Sequence, residues 1–314
     1  MDLLLTGASG FLGRNFILGA PAGWRILALY SRDSSFPAFV ERLDRPNVTA
    51  VRCDLMCPDQ VEAVFQKYGR EWEHALFLAA KVDIPWSVRD PNGDLQSNTQ
   101  PLLHTLEHLR ARRFVYFSSG AIYDGSQGEV SPMHPVSPTL PYAISKLACE
   151  RYVEFYARRR RSIEDYIVVR FFGAYGPYEA PHKIYTRLIQ AFAVEKKRSY
   201  TIYGSGRNAI DAMYVDDAVE AIGRILTGGH RNDTVNLAAG HPMTIESLVR
   251  EAGEILGPGM VEIVKEGVAH ECNEFWGSTA EMQEHFGFEP KVSLREGLTR
   301  FKKFLLERET LARG

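Results

Sequence analysis

The chain has 314 residues, 45% hydrophobic and 24% charged, with a formal net charge of −2. That length allows one large or two modest domains around a substantial core, and the near-neutral balance excludes the basic footprint of a nucleic-acid binder. Cys53, Cys57, Cys149 and Cys272 form no CxxC pair, so neither a zinc site nor a disulfide framework is expected, and no apolar run approaches the roughly 18 residues of a membrane span.

In chain order, Leu3-Leu4-Leu5 reads as a strand buried on both faces. Met1 opens straight into it, leaving no room for a secretory leader, and a cytoplasmic protein is expected. Glycines follow at Gly7, Gly10 and Gly13 as the chain turns into an apolar helix ending near Gly19. Gly7 suits a tight turn, Gly10 a ligand lying on bare backbone, and Gly13 a close helix–strand contact. The free N–H groups and positive dipole end of the helix suit a pyrophosphate.

Further strands are expected at 26–30, 48–52, 75–79, 114–117 and 166–171, and helices at 58–68, 94–110 and 142–160. This alternation predicts a parallel sheet with helices on both faces and its ligand edge at the strand C-termini. Residues 1–172 are read as the cofactor-binding domain. Residues 173–314, broken by Pro177, Pro181 and the turns at 204–206 and 257–259, are read as a smaller, partly interleaved substrate lobe. That lobe returns to the sheet near 208–240, with 235–237 as a late strand.

Tyr142 and Lys146 stand at i and i+4, on one helix face. An ammonium beside a phenol favours its ionised form, bringing an acid of pKa near 10 toward working pH for proton exchange with a carbonyl/alcohol pair. Ser118 and Ser119 end the fifth strand on the ligand edge, where a serine can bond the same substrate oxygen.

TGASGFLG, Asp54-Leu55, Leu78-Ala79-Ala80, Asn98, SSGAIY, YAISK and GAYGP resemble the extended short-chain dehydrogenase/reductase family. Within it, the chain looks like the nucleotide-sugar epimerases, dehydratases and ketoreductases, from residue 1 to about 305. The resemblance implies a Rossmann-type doubly wound α/β fold and an NAD(P) cofactor. It implies Ser119, Tyr142 and Lys146 as catalytic residues, Ser119 being chosen over Ser118 because it stands four before Tyr123. It implies cofactor contacts from Gly7, Ser9, Gly10, Phe11, Leu12 and Gly13, and from Asp54 and Leu55 at the adenine. Leu78, Ala79, Ala80 and Lys81 would run beside the pyrophosphate and ribose, with Asn98, Tyr142, Lys146 and Phe171 completing the site. A homodimer joined through 94–110 and 142–160 is implied as well.

NAD-preferring members end the second strand with an acid for the ribose hydroxyls. Here Tyr30-Ser31-Arg32-Asp33 stands in that place. The corresponding position is Tyr30, followed by Ser31 and Arg32. A neutral residue there removes the charge that repels a 2′-phosphate and Arg32 can fork onto one, so NADP(H) is favoured over NAD(H), with Asp33 as a displaced ribose ligand.

Three departures narrow the substrate. Gly173 replaces the family's Asn, Ile210 replaces its diphosphate-binding Arg, and 269–276 contains no arginine. Substrate contacts are assigned to Ser119, Gly120, Tyr142, Gly173, Lys183 and Arg207, with Arg187 as a further cation. Gly120 and Ala121 stand where dehydratases carry an Asp-Glu pair, so elimination chemistry is not expected. His104 and His108 share a helix face but lack the HExxH glutamate, and no metal is expected. The leading expectation is reduction of a keto group on a nucleotide-activated deoxysugar. The alternatives are a C4 epimerase with tightly bound NAD and a reductase of a non-nucleotide carbonyl.

Overall fold

A computed structural model describes residues 1–257, 259–267 and 274–313. Pro258, Cys272 and part of the arginine-free 269–276 stretch lie outside the described residues. The first half runs β1 (Asp2–Thr6), α1 (Phe11–Gly19), β2 (Arg25–Tyr30), α2 (Phe36–Arg42), β3 (Val48–Arg52), α3 (Pro58–Tyr68), β4 (Glu71–Phe77), α4 (Ile84–Arg89), α5 (Pro91–His108), β5 (Arg110–Ser119), β6 (Gln127–Val130), α6 (Pro141–Phe155) and β7 (Ile163–Phe171). Then follow β8 (Ala174–Tyr175), α7 (Ile184–Ile189), β9 (Ser199–Tyr203), β10 (Ala209–Ile210), β11 (Met213–Tyr214), α8 (Val215–Thr227), β12 (Asp233–Leu237), β13 (Met243–Thr244), α9 (Ile245–Leu256), β14 (Glu262–Glu266), β15 (Glu274–Gly277), α10 (Ala280–Phe286) and α11 (Leu294–Arg313).

Seven parallel strands form the central sheet in the order β12-β7-β5-β4-β1-β2-β3, a Rossmann-like α/β fold. Strand side chains alternate between faces, and β1 shows the consequence. Leu3 and Leu5 pack with Phe16, Ile222 and Phe286 on one side, and Leu4 with Phe65, Leu102 and Val153 on the other. Each such leucine, buried without remainder, contributes about 2 kcal/mol. A third cluster, including Leu188, Phe192, Leu248 and Phe301, forms the core of the C-terminal part.

Several boundaries differ from the sequence reading. Strand β4 starts at Glu71 rather than residue 75 and ends at Phe77, because its first half alternates exposed Glu71 and Glu73 with buried Trp72 and His74. An apolar run does not detect that pattern. The earlier end leaves Leu78-Ala79-Ala80 as loop at the ligand edge. Helix α5 begins at Pro91, where the Asp90 side chain caps the Gly93 amide. Helix α6 stops at Phe155, continues as one wide π turn over Tyr156–Arg160 and ends at Arg161 in the left-handed region (φ 57°). The short α2 was not foreseen; it buries Phe36, Phe39 and Val40 behind β2.

Two buried arginines join the halves of the chain. Arg113 bonds Asp165 (2.7 Å) and the carbonyls of Ile225 in the last turn of α8 and of Gly228 and His230 just beyond it. Arg170 pairs with Glu150 (2.9 Å) and donates to the Tyr123 hydroxyl, which donates in turn to Asn236 of β12. Removing one partner of such a buried pair is strongly destabilising.

Candidate active site

The glycine turn sits at the C-terminal edge of the sheet, between β1 and α1. Gly7 has φ +67°, and a Cβ there would lie 2.8 Å from the Ala79 nitrogen. At Gly13 a Cβ would come within 2.5 Å of the Gly7 carbonyl oxygen. Gly10 caps α1 with no side-chain hydrogen bond, so the first amides of the helix face the cleft with their dipole. Only bare backbone fits here, and a dinucleotide pyrophosphate meets those requirements.

A groove runs along this edge as two adjoining clefts, of about 470 Å³ and 430 Å³, that share Gly7, Gly10, Leu78 and Ala80. Ser9, Ser31, Arg32, Asp54, Leu55, Ala79 and Lys81 line the first. Phe11, Leu12, Gly13, Ser119, Tyr142, Lys146, Phe171, Gly173 and Lys183 line the second. Asn98 stands behind the wall: 3% exposed, it accepts from the Lys81 amide (2.9 Å) and donates to Asp94. Its geometry positions the loop after β4 rather than reaching into the groove. Gly120 is buried, and a Cβ there would press on the Phe172 ring at 3.0 Å. Arg207 is exposed on its turn and lies outside both clefts.

At the inner end, α6 starts at Pro141, so Tyr142 and Lys146 occupy its first two turns, 4% and 2% exposed. Lys146 Nζ donates to the Phe117 carbonyl and lies 4.4 Å from the centre of the Tyr116 ring. Ser119 accepts from the Ala121 amide (3.1 Å), while Ser118 turns inward to Glu150 (2.5 Å). Both serines line the cleft, but the Ser118 hydroxyl is spent on Glu150, and Ser119 is the one that bonds Tyr142.

The acid–base balance of the pair departs from expectation. Burial pushes the Tyr142 phenol up to about 12, against a hydrogen bond with Ser119 that works the other way. Burial also brings the Lys146 ammonium down to about 8. Desolvation penalises both charged forms, so without the cofactor the lysine does not draw the phenol toward neutrality.

Around the adenosine end, Asp33 is already committed. Its Oδ2 accepts from Arg14 (2.6 Å) and its Oδ1 from Ser35, and it is absent from the cleft lining. Arg32 is exposed and makes no ion pair or hydrogen bond among the described residues. Ile210, where a diphosphate-binding Arg was sought, pairs with Met243 across β10–β13 and packs on the C-terminal core.

Sequence reasoning missed Glu179. Its carboxyl lines the catalytic cleft beside Ala180 and Lys183 and accepts from the Thr186 amide and hydroxyl (2.9 and 2.7 Å). A lone acid between Pro177 and Pro181 carries no spacing signal. The paired histidines are separately occupied: His104 bonds the Leu55 carbonyl (2.8 Å) and His108 stacks on Phe65. Elsewhere His230, Asp233 and His285 cluster, but the two rings stack at 3.8 Å and 5°. Their ring-nitrogen lone pairs then run parallel instead of converging on one ion.

Residues 3–238 match the profile of the NAD dependent epimerase/dehydratase family. The chain belongs to that family. It is thus an enzyme of the extended short-chain dehydrogenase/reductase type. An uncharacterized UDP-glucose epimerase of Bacillus subtilis is 29% identical over 206 residues, 64% of either chain. A dTDP-glucose 4,6-dehydratase of Streptomyces niveus is 27% identical, covering 95% of this chain and 90% of that one. The crystal structure of a UDP-glucose 4-epimerase of Thermotoga maritima with UDP-glucose superposes with a TM-score of 0.86 at 27% identity, covering 99% of this chain and 100% of that one.

Proposed function

We propose that this family member is a nucleotide-sugar 4-epimerase. The observation that carries the reading is the set Ser119, Tyr142 and Lys146 on one cleft with Gly120 and Ala121 next to the serine. A dehydratase needs an acid–base pair for water elimination at that place, and these two residues supply none. Oxidation, rotation and re-reduction need only the serine, tyrosine, lysine and cofactor.

In this reading residues 1–172 hold the cofactor and 173–314 mainly the sugar nucleotide. The nicotinamide, when bound, supplies reversible hydride acceptance. Ser119 orients the C4 oxygen, and Tyr142 takes the hydroxyl proton and returns it to the same oxygen once the keto sugar has turned its other face to the cofactor side of the cleft. Lys146 holds the ribose, and its charge together with that of the oxidised ring opposes the burial that keeps the phenol protonated. Lys183, on the cleft wall, supplies charge to the diphosphate, with Arg187 one turn further along α7. Exposed Leu95, Ile144, Tyr152 and Phe155 on α5 and α6 support a homodimer through these helices, which light scattering reads directly.

A second reading is favoured by Ser31 and Arg32, an uncharged and a cationic residue at the adenosine ribose: an NADP(H)-preferring ketoreductase. One assay separates the two. The epimerase purifies with bound NAD and interconverts UDP-glucose and UDP-galactose with no net change at 340 nm, read by anion-exchange chromatography of the nucleotides. Preference for NADP⁺ with stoichiometric NADPH consumption on a keto-sugar nucleotide would overturn it in favour of the reductase. Absence of thermal stabilisation by any nucleoside diphosphate would favour a non-nucleotide carbonyl instead.

A further inference from the structure

The catalytic cleft has one carboxyl on its wall among the described residues, and the chemistry above does not use it. Glu179 follows β8 in the segment leading to α7 and lines the same cleft as Ser119. Its Oε2 is held by both the amide and the hydroxyl of Thr186; Thr186 is itself 8% exposed. Its Oε1 takes no hydrogen bond from the described residues, and it is not among the buried atoms left without a partner. One oxygen is therefore anchored and the other is free to meet whatever enters the cleft. The groups around it leave its charge unneutralised by a direct ion pair. Lys183 and Tyr185 are nearby on its own segment and on α7. Tyr142 and Lys146 of α6 line the same cleft, with Lys146 turned to the Phe117 carbonyl.

We propose that Glu179 is a specificity-determining residue: its free carboxyl oxygen accepts a hydrogen bond from a hydroxyl of a neutral hexose unit and turns away a hexose bearing a carboxylate of its own. An anchored acceptor of this kind rewards a hydroxyl at one position. A second carboxylate brought against it costs repulsion that the cleft has no spare cation to relieve, because Lys183 is assigned to the diphosphate and Lys146 is held on the Phe117 carbonyl. The inference assumes the nucleotide-sugar reading.

Burial pushes the Glu179 carboxyl up to about 7, against the two Thr186 bonds and the nearby Lys183. The acid ionises as pH rises through that value. Repulsion of a sugar carboxylate is accordingly weak at pH 6 and strong at pH 8, and that pH dependence belongs to Glu179 rather than to the shape of the cleft.

The experiment is calorimetric titration of UDP-glucose and UDP-glucuronate, which differ only at C6, into protein saturated with NAD⁺ at pH 6 and pH 8. Wild type should bind the neutral sugar at least about tenfold more tightly at pH 8, with a smaller ratio at pH 6. Glu179→Gln should bring the two ligands close together at both pH values while NAD⁺ affinity stays unchanged. Thr186→Val, which keeps the carboxyl but removes its anchor, should narrow the ratio in the same direction. A ratio and pH dependence identical in wild type and Glu179→Gln would overturn the role of Glu179 alone. Binding of neither ligand by wild type would overturn the nucleotide-sugar reading, and this inference with it.

Discussion

The two ends of the groove are built by different means. The cofactor end is backbone: the Gly7–Gly13 turn, the free first amides of α1 and the Leu78–Ala80 loop, packed so closely that a Cβ at Gly7 or Gly13 meets main chain within 3 Å. The substrate end is side chains carried by a short segment: Glu179 and Lys183 just ahead of α7, facing the cleft that Gly173 after β7 also lines. A backbone site tolerates few sequences, so its occupant is constrained to one class. A side-chain site on short elements can be rebuilt residue by residue, so its ligand changes while the fold stays.

That contrast can be broken most severely at the chemistry between the two ends. Tyr142→Phe should cut turnover by about 10²–10⁴ while cofactor binding, followed by nicotinamide fluorescence, is retained; an undiminished rate would take Tyr142 out of the mechanism. At the backbone end, Gly13→Ala should destabilise the fold by about 1–3 kcal/mol and weaken cofactor binding. Denaturant titration and fluorescence check the two effects, and a wild-type midpoint would mean that α1 can shift freely.

Smaller effects sharpen the comparison. Arg32→Ala should weaken NADP⁺ binding about tenfold and leave NAD⁺ untouched; an unchanged ratio would show that Arg32 does not reach the 2′ position. Glu179→Gln should raise the melting temperature above pH 7 and leave it unaltered near pH 4. A carboxyl whose folded pKa stands near 7 holds its proton in the folded chain after the unfolded chain has lost it. Stability therefore falls as pH rises from about 4.5 toward 7, and the amide removes that fall. Equal melting curves for both proteins at pH 8 would contradict the burial penalty.

How much was legible follows the same division. The glycine turn, the strand–helix alternation and the Tyr142/Lys146 spacing are local patterns, and local patterns survive reading in one dimension. Strand β4 escaped at its start because charged residues alternate with buried ones there, and α2 because seven residues make too few turns to show a period. Glu179 has no partner at a fixed spacing; it joins Tyr142 only through the return of the chain after β8. The direction of the Tyr142 shift was misjudged for a related reason. Adjacency on a helix is visible in sequence, but the burial that outweighs it comes from elements far along the chain, such as α4, whose Ser87 bonds the Tyr142 amide. The position of Asn98 is recognisable in sequence, whereas its hydrogen bonds to Lys81 and Asp94 join residues whose spacing signals no contact.

The two buried arginines also set an order of events during synthesis. Arg113 and Tyr123 are in place once the first half has left the ribosome, but their acceptors at Ile225, Gly228, His230 and Asn236 come about a hundred residues later. At roughly 5–20 residues per second, an emerging first half waits several seconds with a guanidinium and a phenol that want partners. A nascent chain stalled before β12 should thus carry the whole glycine turn and the Tyr142/Lys146 helix yet remain open to protease at β5. Release of Leu237 is the moment at which β12 can complete the sheet against β7.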